Sequence, residues 1–137
     1  PGRSDISIER VAINLNDARI ADNLGSQPID TAVVTDGPAA YFTTLPIKAM
    51  VRAVREAGVA ASVSHTAGTF VCNQVFYRLQ HALAGSGVRS GFIHVPRLPG
   101  GSEPSMPLTT LVEGLRVAVT AAWQTSVDVV EAGGQVS

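Results

Sequence analysis

Ile47, Met50, Val51 and Val54 recur at i, i+3, i+4 and i+7, while Lys48, Arg52, Arg55 and Glu56 take the opposite face. That period predicts an amphipathic helix. Thr44 is its expected N-cap, Pro46 fits its first turn, and Gly58 suits its end. A second helix is predicted over Phe70 to Ala84, with Val75, Leu79 and Leu83 on one face and Gly85 as its stop. A third is defined by Leu108, Leu111, Val112, Leu115, Ala118, Val119 and Ala122. Shorter apolar runs predict strands at Glu9 to Asn14, Ala60 to Ser64 and Ser90 to Val95. Residues 16 to 40 are rich in Asn, Asp, Gly and Pro and read as an extended loop, with room for a short strand at Thr31 to Val34. Arg97 to Pro107 is a second loop, and the tail from Gly133 is expected to fray.

Strand and helix alternate along the chain, the signature of an α/β layered fold, α/β/α, with a mostly parallel central sheet. No repeat or linker divides it, so residues 1–137 are expected to form a single domain. In such sheets ligands sit beyond the carboxyl ends of the strands. Two chemically notable residues fall there by order of elements. Cys72, the only cysteine, lies in Thr66-Ala67-Gly68-Thr69-Phe70-Val71-Cys72-Asn73, at the expected start of the second helix. A thiol there sees the positive end of the helix dipole, which favours the thiolate. His94 closes the apolar run Gly91-Phe92-Ile93-His94-Val95-Pro96.

Composition narrows the classes. Of 137 residues, 45% are hydrophobic and 15% charged, enough for a packed core and too apolar for disorder. The formal net charge is −1, with no basic run to track a phosphate backbone, so a nucleic-acid partner is not expected. No apolar stretch approaches the roughly 20 residues a bilayer span needs, and no signal peptide is recognised. A lone cysteine cannot form an internal disulfide, which suits a reducing, cytoplasmic compartment.

A thiol peptidase needs a thiolate, a base to carry the proton, and a group that orients the base. Cys72 and His94 fit the first two roles. Glu9 is a candidate for the third because it opens a strand, and Asp5, Asp17 and Asp22 compete with it. The ordinary alternative for a lone cysteine is a buried structural thiol, and for His94 a strand-end ring bonded to backbone. His65 is a rival base, while His81 reads as a packed or hydrogen-bonded helix residue. The Cys and His spacings match no usual zinc pattern, so no metal is expected. Gly85-Ser86-Gly87 and Gly100-Gly101 read as turns. Phe70 and Val71 can line an apolar pocket or belong to the core.

Four co-linear segments resemble the family of pyroglutamyl peptidase I, also called pyrrolidone-carboxylate peptidase, the C15-type cysteine peptidases. They are Gly2-Arg3 with Ile8-Glu9-Arg10-Val11-Ala12-Ile13-Asn14, then Asp17-Ala18-Arg19-Ile20-Ala21-Asp22-Asn23, Ala67-Gly68-Thr69-Phe70-Val71-Cys72-Asn73, and Gly91-Phe92-Ile93-His94-Val95-Pro96. The resemblance runs from about residue 1 to residue 110. It implies a phosphorylase/hydrolase-like fold with Cys72 as nucleophile, His94 as general acid/base and Glu9 as its orienting group. It further implies a pyrrolidone pocket lined by Phe70, Val71 and Ile20, with Arg19 near the reacting carbonyl. The implied substrates are peptides with N-terminal pyroglutamate. No metal or organic cofactor is implied, and the implied assembly is a homo-oligomer, a dimer or tetramer. The family begins with a further segment bearing a Phe-Gly-rich motif that nothing in residues 1–14 matches. The chain is therefore expected to be the C-terminal two-thirds of a longer family domain. Two other functions compete: a non-catalytic binding or structural member of the same fold, and a redox-sensing thiol domain.

Overall fold

The computed structural model describes residues 3–133. Most of the expected frayed tail and the Pro1-Gly2 opening lie outside the described residues. The element order is β1 (Ile6–Glu9), β2 (Val11–Ile13), β3 (Ala40–Phe42), α1 (Ile47–Glu56), β4 (Ala61–Ser64), α2 (Cys72–Leu83), β5 (Ile93–His94) and α3 (Leu108–Gln124). The chain divides into two compact units.

The first unit holds residues 3–9, 45–65 and 92–133. Its three-stranded sheet has the order β4-β1-β5, with β1 parallel to β4 and antiparallel to β5. The α/β class expected from the sequence is present, but the sheet is mixed rather than mostly parallel. An apolar run signals a buried strand without recording its direction, which the connections decide. The expected strand at Ser90 to Val95 shrinks to the two residues of β5. All four residues of β1 are fully buried. Ile6 and Ile8 join the core with the α1 stripe Ile47, Met50, Val51 and Val54, the stripe expected from the period. Gly114 lets α3 approach closely: a Cβ there would come within 2.5 Å of Ile6 Cδ1 and 3.1 Å of Val59 Cγ1.

The expected Thr44 cap is not made. Its Oγ1 instead donates to the Ser90 carbonyl (3.1 Å) and accepts from the Ser90 N–H (2.7 Å). A residue far along the chain caps α1: the Lys48 and Ala49 N–H groups donate to the Asp128 carboxylate at 3.1 and 2.8 Å. Local sequence cannot announce a cap 80 residues away. Glu131 extends the strap by pairing with Arg52. Asp128→Ala is expected to lower stability by about 1–2 kcal/mol, with Asp128→Asn losing less, as read by thermal unfolding.

The second unit holds residues 10–44 and 66–91. Here β2 and β3 form an antiparallel pair, with Val11 opposite Phe42 and Ile13 opposite Ala40. The expected strand Glu9 to Asn14 is thus two strands broken at Arg10, and β3 starts on the last residue of the expected loop and runs on to Phe42, where no element is expected. The expected strand at Thr31 to Val34 is reduced to a single bridge between Asn16 and Thr31. Helix α2 buries Asn73, Phe76, Tyr77 and Gln80, whereas Val75 and Leu79 are exposed, so its inward face differs from the one expected. No helix among the described residues is long and apolar enough to cross a membrane.

Candidate active site

In the first unit, β1 ends at Glu9 and β5 ends at His94. The antiparallel register places Ser7 opposite His94. The His94 Nδ1–H donates to Glu9 Oε1 at 2.8 Å. A carboxylate acceptor assigns the proton to Nδ1 and leaves Nε2 to exchange protons with a substrate. Glu9 is fully buried, and the Phe92 ring packs edge-on against His94 with centroids 5.0 Å apart. The rival carboxylates are engaged elsewhere. Asp5 accepts from Ser7 Oγ, Asp17 Oδ1 from the Asp30 N–H, and Asp22 from the N–H groups of Leu24 and Ser26. Only Glu9 among the four carboxylates meets the ring. His65 is exposed. His81 is an exposed helix residue whose Nδ1 bonds the Tyr41 hydroxyl at 2.7 Å, the hydrogen-bonded of its two expected readings.

In the second unit, Cys72 is the first residue of α2 and is partly buried with a free thiol. The opening N–H groups of a helix have no partner within it. The Asn73 N–H is taken by the Phe70 carbonyl (2.9 Å) and the Val75 N–H by Val71 (2.9 Å). Gly68, at φ +84°, turns the chain into this segment, where the Gly68 N–H donates to Thr66 Oγ1. The segment is tied to the long loop by a reciprocal pair. Asp17 N–H donates to the Thr69 carbonyl, and Thr69 Oγ1 donates to the Asp17 carbonyl, both at 2.7 Å. Gln27 Nε2 donates to the carbonyls of Ala18 and Arg19, holding the loop in shape.

The result is an open cleft of about 420 Å³ lined by Asp17, Arg19, Ile20 and the run Ala67-Gly68-Thr69-Phe70-Val71-Cys72. Every substrate-binding residue expected from the sequence, Phe70, Val71, Ile20 and Arg19, lines this cleft beside Cys72. Ile20 is 76% and Val71 50% exposed, so neither belongs to the core.

Two residues escaped notice in the sequence. Asn73 is 1% exposed; its Oδ1 accepts from the Ile13 N–H, and its Nδ2 donates to the carbonyls of Ile13 and Leu15. An amide in the first turn of a helix, beside the cysteine, was the available signal. Arg3 lies 3.3 Å from Glu9 Oε1. Its signal was only its place in the first motif.

A helix-start thiol and a carboxylate-paired histidine in an α/β chain are the groups that cysteine peptidases use. The chain belongs to the Peptidase C15 family, pyroglutamyl peptidase, which matches residues 1–125. It is 79% identical to a pyrrolidone-carboxylate peptidase of Pseudomonas fluorescens over 141 positions, covering 100% of this chain and 66% of that protein. A pyrrolidone-carboxylate peptidase of Cupriavidus taiwanensis is 64% identical, over 98% of this chain and 66% of its own length. The crystal structure of pyroglutamyl peptidase I from Bacillus amyloliquefaciens superposes with a TM-score of 0.92 at 44% identity, over 96% of this chain and 65% of that one. The chain thus spans about 66% of the length of the curated relatives it matches.

Proposed function

We propose that this chain carries the catalytic groups of a cysteine exopeptidase that removes N-terminal pyroglutamate from peptides. The observation that carries the chemistry is the His94–Glu9 pair at 2.8 Å. A fully buried carboxylate costs too much desolvation to serve as casual packing, and it gives the imidazole one defined tautomer. The names of the relatives supply the substrate class. No observation favours the non-catalytic alternative.

In the proposed reaction His94 Nε2 takes the Cys72 thiol proton. The thiolate attacks the pyroglutamyl carbonyl carbon, and a C–S bond forms. The Cys72 N–H, at the helix start, donates to the oxyanion. Protonated His94 gives its proton to the peptide nitrogen as the C–N bond breaks and the amine leaves. Water then attacks the thioester with its proton passing to His94, pyroglutamate departs, and the thiol is restored. Glu9 keeps the ring oriented throughout.

The cleft suits the acyl group. Pyroglutamyl is flat and uncharged, with one lactam N–H and one lactam C=O, so Phe70, Val71 and Ile20 can cover its ring. In this reading Arg19, which lines the cleft, meets the carbonyl. A free α-amino group would have to shed its hydration there, which disfavours unblocked N-termini.

The same reading places the protein in the cytoplasm, where an unpaired thiol stays reduced, and gives it a homo-oligomeric state of dimer or tetramer. Support for assembly comes from α3, where Leu108, Val112, Val119 and Trp123 share one stripe and are more than half exposed.

The deciding experiment is hydrolysis of a fluorogenic pyroglutamyl amide beside the matching free glutamyl amide. The expected result is cleavage of the first with at least ~100-fold preference in kcat/KM. Equal cleavage of both, or of neither, overturns the proposal for this chain.

A further inference from the structure

Among the described residues the charge of Glu9 is met at one oxygen only. Oε1 accepts from His94 Nδ1 at 2.8 Å and lies 3.3 Å from Arg3 Nη2. Oε2 is equally buried and has no hydrogen-bond partner among the described residues. A neutral imidazole supplies a hydrogen bond but no counter-charge, and a buried carboxylate needs one. Arg3 provides it. Its Nη1 donates to Ser64 Oγ at 3.2 Å, and Ser64 is 1% exposed at the end of β4. Ser64 is also the register partner of Glu9 across the parallel β1–β4 pair. One planar guanidinium therefore spans the ends of two adjacent strands, with its charge at Oε1.

We propose that Arg3 is a positioning residue for the Glu9–His94 pair: anchored on Ser64, its guanidinium holds Glu9 Oε1 toward His94 and locks the imidazole in its Nδ1–H tautomer. The two oxygens of a carboxylate are equivalent until something distinguishes them. With Arg3 in place, rotation about the last Glu9 bond would take Oε1 away from the cation and the imidazole together. Without it, the carboxylate can turn, and the ring loses a fixed acceptor. A fork with separate donors is needed to hold Ser64 and Glu9 at once; a lysine ammonium supplies the charge without the fork. The significance for turnover rests on His94 being the acid/base, but the proposal itself concerns the tautomer and can be tested without turnover.

The test is the side-chain ¹⁵N–¹H spectrum of histidine-labelled protein, with Glu9→Gln identifying the His94 signal. The parent is expected to show one slowly exchanging His94 Nδ1–H. Arg3→Met is expected to speed its exchange at least ~10-fold and to populate the Nε2–H tautomer. Arg3→Lys should restore thermal stability but only part of the protection, because charge alone does not fix the oxygen. A purely structural arginine would move the unfolding midpoint and leave the tautomer alone. Exchange in Arg3→Met within about twofold of the parent, with the fold intact, overturns the proposal. Should Arg3→Met fail to fold, Ser64→Ala decides, since it keeps the guanidinium and removes its anchor: faster exchange supports the proposal and unchanged exchange overturns it. A chain that shows the Arg3-dependent tautomer yet hydrolyses no pyroglutamyl amide would sink the peptidase reading and leave this one standing.

Discussion

Cys72→Ser is expected to lower kcat/KM for a pyroglutamyl amide by at least ~10³-fold while leaving the fold in place. The substitution exchanges Sγ for Oγ at a partly buried position on the first turn of α2. No hydrogen bond, metal or disulfide depends on the sulfur among the described residues, so the stability change should stay within about 1 kcal/mol. Reactivity changes far more. A thiol gives up its proton to an imidazole readily, whereas a serine hydroxyl needs a base and an oxyanion site tuned to a much weaker acid. Two measurements check this together: steady-state hydrolysis, and the thermal midpoint of the variant against the parent. Turnover retained within tenfold would remove Cys72 from the mechanism and return it to the class of structural thiols. Its exposure already argues against that class, since structural cysteines are typically fully buried.

The parts of the fold that were legible in the sequence are those in which burial follows hydrophobicity. Helix α1 buries Ile47, Met50, Val51 and Val54 because they are its only apolar stripe. Helix α2 follows a different rule. Its buried residues Asn73, Phe76, Tyr77 and Gln80 also fall at i, i+3, i+4 and i+7, but two of the four are amides. Their polar groups are satisfied by partners outside the helix: Asn73 by the backbone of Ile13 and Leu15, and Gln80 by the Phe42 carbonyl and the Ser90 hydroxyl. A hydrophobic count passes over such a face and settles on Val75 and Leu79, which the structure leaves exposed. The long loop fails in the same way. Asn14 holds Val34 by both its backbone groups, donating from Nδ2 to the carbonyl and accepting at Oδ1 from the N–H. A side chain thus does the work that a neighbouring strand would have done, and no ladder forms at 31–34.

The candidate site was legible for a different reason. Its residues cluster in short runs whose chemistry is unusual locally: a lone thiol amid small residues, and a histidine closing an apolar strand. Proximity in sequence carried the Phe70-Val71-Cys72 wall directly into the cleft. The choice of Glu9 over Asp5, Asp17 and Asp22 was not available from spacing. It depends on β5 running antiparallel to β1, a direction that no periodicity encodes.

Asn73→Ala is expected to be the most damaging single truncation beside the cysteine, costing about 2–4 kcal/mol. The Thr43 N–H donates to the Arg10 carbonyl, and the Asn14 N–H donates to the Ala39 carbonyl, so alternate residues of this stretch face β3. The Ile13 N–H and C=O point to the other edge of β2, and there the Asn73 amide meets both, at 2.9 and 2.8 Å. One side chain acts as a one-residue strand. Truncation leaves two partly buried backbone groups, the Ile13 N–H and the Leu15 C=O, without the amide, while the Ile13 C=O keeps the Leu15 N–H at 2.9 Å; each loss costs about 1–3 kcal/mol and the two are not additive. The better helix propensity of alanine returns only about 0.5 kcal/mol. At roughly 3–5 °C per kcal/mol for a chain of this size, the midpoint should fall by about 6–20 °C. Asn73→Asp should do no better. It keeps the acceptor for the Ile13 N–H but turns a carboxylate oxygen toward the carbonyls of Ile13 and Leu15. Because Asn73 follows Cys72 directly, the same loss frees the start of α2, and alkylation of Cys72 should become less uniform as the helix end opens. A midpoint within about 2 °C of the parent would mean that water replaces the amide at the β2 edge, and that Cys72 is held by the Asp17–Thr69 pairing alone.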